Sequence, residues 1–65
     1  MAEAKAQYIV VTVYKDEDMF RTETFSSSFL DRAEAFANEE SRWEKTVIAS
    51  VIDVVDNKVI STYQE

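Results

Sequence analysis

The fold turns on residues 8–25, YIVVTVYKDEDMFRTETF. Ile9, Val11 and Val13 alternate with Tyr8, Val10, Thr12 and Tyr14, and this β-branched and aromatic composition suits a strand from Gln7 to Tyr14. The polar run Lys15-Asp16-Glu17-Asp18 breaks it, and alternation resumes from Met19 to Phe25. That pattern predicts a hairpin with a loop of four residues.

Beyond the hairpin, Ser26-Ser27-Ser28 stops the second strand. Ser28 and Asp31 have capping-box spacing, which predicts a helix from Phe29 to about Trp43 or Glu44, with Phe29, Leu30, Ala33, Phe36 and Ala37 on one stripe. Arg42 and Lys45 then fall in its last turn, where cations suit the dipole. Thr46 to Val55 is the third strand. Asp56-Asn57 is the expected two-residue turn, because Asp and Asn best tolerate positive φ in a chain without glycine. Lys58 to Tyr63 completes a second hairpin. The expectation is a single α+β domain of ββαββ layout over 7–65, preceded by a flexible tail at 1–6. Its four-stranded antiparallel sheet has order 2-1-3-4, with one helix packed on one face.

Composition removes whole classes of chemistry. The 65 residues hold 13 Asp and Glu against 7 Lys and Arg, for a net charge of -6, and no Gly, Pro, Cys or His. Without His or Cys there is no Ser-His-Asp or Cys-His pair, and the ligands of an ordinary zinc site are missing. Without Gly there is no phosphate-cradling loop. An acidic surface argues against nucleic acid as a direct ligand. No apolar run reaches the roughly 18 residues of a membrane span. The start of the chain has no basic region leading into an apolar stretch, so a cytoplasmic protein is expected. No cofactor and no metal is expected.

Side-chain parity divides the sheet into two faces. If the more apolar half of each hairpin faces the helix, Ile9, Val11, Val13 and Phe20 are covered. The open face then carries Tyr8, Val10, Tyr14, Met19, Arg21, Phe25, Asp53 and Ile60. Aromatics, Met and Arg are enriched in interfaces, so this face is expected to bind, and in so small a domain a homodimer is the first expectation. A second expected surface is acidic, made of Asp16, Glu17, Asp18, Glu40 and Glu44 with Trp43, and suits a protein target with a basic patch.

Other readings compete for the same residues. Asp16-Glu17-Asp18 resembles part of a calcium loop but lacks its Gly and its final Glu, so it reads as a solvated turn. Asp53 inside an apolar strand suggests a raised pKa, and Glu40 with Glu44 suggests a carboxylate pair, but either is better explained by exposure or pairing. A small-ligand site between subunits would use Tyr8, Tyr14 and Arg21. In general look, a compact acidic chain with one helix between two hairpins resembles the small accessory and inhibitory proteins that phages encode, although no motif carries residues over. The expected function is therefore non-enzymatic binding that modulates or inhibits a target protein.

Overall fold

Both hairpins form, and one helix joins them. The computed structural model describes residues 7–64, so the expected tail lies outside the described residues. The elements are β1 (Tyr8–Asp16), β2 (Met19–Ser27), α1 (Leu30–Ser41), β3 (Thr46–Asp53) and β4 (Lys58–Tyr63). They build one antiparallel sheet of order β2-β1-β3-β4, as the strand apolarity predicts.

The first hairpin is tighter than expected. Its loop is Glu17-Asp18, with Asp16 opposite Met19 and Tyr14 opposite Arg21. The shorter connection adds two ladder pairs and matches strand twist better than a four-residue loop, and the shift of two positions leaves parity unchanged. Glu17 meets the turn's demand at φ 58°. Asp16 then accepts ion pairs from Arg21 at 3.4 Å and Lys45 at 3.9 Å, tying the tip to the segment after the helix.

The second hairpin is looser than expected. The strand β3 stops at Asp53, which pairs with Lys58, and the loop spans four residues, 54–57. The reason is chemical. The Asp53 carboxylate accepts the backbone N–H groups of Val55 and Asp56, each at 3.0 Å, and so pulls the chain out of the ladder. Asn57 has φ 56°, the left-handed conformation expected of it. A bulge in β4 places Val51 opposite Ser61 but Ile52 opposite Val59, leaving Ile60 as the extra residue.

The helix is shorter than its apolar pattern suggests. The N-cap position is Phe29, one residue past the expected Ser28, and it has no side-chain cap; Ser27 Oγ accepts the Phe29 N–H at 3.0 Å. Asp31 instead accepts from the Arg32 N–H at 3.0 Å. The C-cap is Arg42, so Arg42 and Lys45 lie beyond the last turn rather than in it.

The faces of the sheet are the reverse of the expectation. Buried under α1 are Val10, Ala49 and Val51, against Ala33 and Ala37, all with no exposed surface. Tyr8, Phe25, Ile60 and Tyr63 pack around them. Ile9, Val11, Val13, Ile48 and Ile52 therefore point to the uncovered side, with Phe20 and Val59. Two features decide this. β2 and β3 run parallel with β1 between them, and a crossover joining parallel strands is right-handed in about 98% of cases, so hand constrains the face before apolarity is weighed. The helix also offers mainly Ala33, Ala37 and Ser41, a narrow stripe that fits between flanking aromatics and needs no broad aliphatic bed.

The covered core is thin. Three of its five fully buried apolar residues are alanine. The hydroxyls of Thr12 and Thr46 are buried beside it without a hydrogen-bond partner, a further cost for so small a domain.

Candidate functional site

Three contacts run along one side of the helix and on past its C-terminal end. Phe36 stacks on Phe25 with centroids 4.2 Å apart and planes at 16°. One turn further on, Glu40 lies beside Glu23. Burial first, then the charge of Glu23 and a hydrogen bond to it, and then Glu39, push the Glu40 carboxyl above its ordinary value. Next, Trp43 meets Tyr14 at 5.4 Å and a 48° tilt. Trp43 is 46% exposed, so it closes the edge of the core with one side and faces solvent with the other.

On the opposite flank, Glu34 binds the helix to β4. It accepts hydrogen bonds from Ser61 Oγ at 2.6 Å and from the Tyr63 hydroxyl. The acceptor carboxylate favours the protonated phenol and raises the Tyr63 pKa. This tie was not foreseen from the sequence. Its signal was the pairing of polar Ser61 and Tyr63 positions with a helix acid one turn from Ala37.

The expected sheet-face site is displaced as a group. Val10 is fully buried and Asp53 is 4% exposed, both on the helix side. Tyr8, Phe25 and Ile60 pack on the core, and Tyr14 packs on Trp43. Met19 and Arg21 share that side by register but are exposed beside the Glu17-Asp18 turn. Tyr8, Val10, Tyr14, Phe25, Asp53 and Ile60 thus support the fold, while Met19 and Arg21 stay exposed at its end. Tyr14 lies opposite Arg21, with Tyr8 at the far end of the same strand face, and no pocket forms among the described residues.

Asp53 also has the opposite electrostatics to a general acid. The Asp56 N–H foremost, with help from Gln7 Nε2 at 3.2 Å and the Val55 N–H, holds its carboxyl below the ordinary range, against the effect of burial. The folded-state value therefore lies below the unfolded 3.8. Its contribution to stability is full above about pH 4 and is lost as pH falls through the depressed folded value. Urea midpoints measured from neutral pH down to about pH 3 should fall, and Asp53→Asn should flatten that fall while lowering the midpoint at neutral pH. An unchanged acid limb in Asp53→Asn would place the titrating group elsewhere.

The acidic residues keep to one side. Glu17 and Asp18 are exposed in the first turn, Asp31, Glu34, Glu39 and Glu40 line the helix, and Glu44 is exposed just after it. The helix continues over the sheet as far as buried Ser41, so Glu40 is half-buried and only Glu44 lies beyond the covered region. Every described Asp and Glu falls on the helix, on the helix side of the sheet or in a turn, and none on the uncovered face. Among the described residues no cluster has the three His, Cys, Asp or Glu ligands that a metal ion needs. No described helix is long and apolar enough to cross a membrane. No protein-family model, curated protein or solved structure matches this chain.

Proposed function

We propose that this chain is a non-enzymatic acidic binding protein that acts as a homodimer and modulates or inhibits a protein target bearing a basic patch. The observation that supports the reading is the segregation of charge: carboxylates collect on the helix and turns, while the uncovered sheet face has none. On the acidic side, burial and the neighbouring Glu23 charge raise the Glu40 pKa, and exposed Trp43 sits one turn on. A Lys or Arg of a target placed there would relieve that repulsion and meet an aromatic face. The segregated array would also steer a basic partner toward the helix side before contact.

The test compares the native chain with the charge-reversed variant Glu39→Lys, Glu40→Lys, Glu44→Lys as bait in lysate of the source cells. A partner held by the native chain, lost by the variant, and weakened about tenfold or more between low and high salt supports the reading. A partner retained equally by both baits, or one insensitive to salt, contradicts it.

A further inference from the structure

We infer that the uncovered sheet face is where a second copy of this chain packs, sheet on sheet, so that the dimer is a four-layer helix-sheet-sheet-helix assembly. This rests on the homodimer part of the reading above and supplies its interface; it does not depend on the acidic target site.

Ile9, Val11 and Val13 on β1 and Ile48 and Ile52 on β3 form a half-buried aliphatic patch over the two central strands, interrupted only by Ser50, with Phe20 at one end 65% exposed. Solvated sheet faces alternate to polar residues, and this one is polar mainly at its edges, through Thr22, Thr24 and Ser26 on β2 and Thr62 on β4, with Ser50 the one hydroxyl between the central isoleucines. A mainly apolar centre within a hydroxyl rim is the anatomy of an interface.

Each copy carries a net charge of -6, so association through the helix side would bring carboxylates together. Among the described residues the uncovered face is free of them, and Lys15, at one end, is the one charged residue there. A two-fold pairing through this face directs both acidic sides outward and keeps repulsion smallest.

Four strands about 4.8 Å apart and about six residues long at about 3.3 Å each present roughly 19 by 20 Å of sheet. With side-chain relief that is roughly 600 Å² a side, so a pair buries about 1,200 Å², which reaches the range of specific interfaces. Left in water, the apolar part of that face, from Phe20 through Val11 and Ile52 to Val59, would remain solvated. The covered core, with three alanines in five residues, leaves Ile9, Val11, Val13, Ile48, Ile52 and Val59 on this side, and a small domain without a disulfide or metal gains a further apolar layer from a second subunit.

The experiment is sedimentation equilibrium on the native chain and on Val11→Lys, with circular dichroism on both. The native chain should sediment at twice its 7.5 kDa mass, and Val11→Lys should raise the dissociation constant on the order of 100-fold while keeping the helix signal. If Val11→Lys fails to fold, Phe20→Lys with Val59→Lys, at positions already exposed in the single chain, takes its place. A native dimer untouched by either variant overturns this interface while leaving the homodimer reading standing. A folded native monomer at high micromolar concentration overturns both, and a partner or lipid that binds the monomer through these residues would then be the occupant.

Discussion

Val10→Lys is expected to leave no folded protein at room temperature, whereas Val11→Lys, one residue away, keeps the fold. Val10 has no exposed surface and lies between Ala33, Ala37 and Val51 in the buried cluster. A lysine there must bury an ammonium without a partner, which costs several kcal/mol, or force the helix off the sheet. A domain of this size has only about 3–5 kcal/mol to lose. Val11 is on the other side of the pleat, where a lysine extends into water in the monomer. Circular dichroism and amide chemical-shift dispersion report the difference. A folded Val10→Lys alongside an unfolded Val11→Lys would show that the helix covers the opposite face.

Ala37→Leu is the second large effect. Ala33 and Ala37 bring the helix close to the sheet because neither projects beyond a methyl group, and both meet Ala49 and Val51 with no surface left exposed. Three added carbons at that contact overpack it, at about 1–3 kcal/mol. For a domain of this length each kcal/mol lowers the melting point by about 4–8 °C, so the midpoint should drop by about 10 °C. Ala35→Leu, at an exposed position on the same helix, should change it by less than about 0.5 kcal/mol and serves as the control. A more stable Ala37→Leu would mean that the helix stands off the sheet over a void.

Strand order was legible because apolarity ranks the strands. Thr46–Asp53 and Tyr8–Asp16 are richest in Val and Ile and take the centre, and the polar β2 takes an edge. Asn57 was legible because its side chain tolerates the left-handed conformation that a glycine-free turn needs. The covered face was not legible from apolar counts. Val11 and Val13 carry no mark that distinguishes them from Val10, and what separates them is the hand of the β2–α1–β3 crossover and the narrowness of the Ala33–Ala37 stripe. The end of β3 was missed for a similar reason. Asp53 reads as an interruption in an apolar strand, yet its carboxylate is the acceptor that shapes the following loop. The acidic surface was legible as composition, but not the pairing of Glu40 with Glu23, which are 17 positions apart and meet only when the helix crosses the sheet.

The reversal of the faces also links stability to function. The side that the helix covers is built from alanines and from aromatics at its flanks, so the broad aliphatic surface remains available for association. The acids then occupy what a dimer would present outward.

The most direct test of this arrangement is a cysteine scan through positions 9–14, because the native chain has no cysteine to confuse it. Single variants are oxidised under mild conditions and the yield of disulfide-linked dimer is measured at each position. Cross-linking should alternate, with yield at 9, 11 and 13 and none at 10, 12 and 14. Yield at the even positions, or none at any of the six, would contradict a dimer joined through the uncovered face.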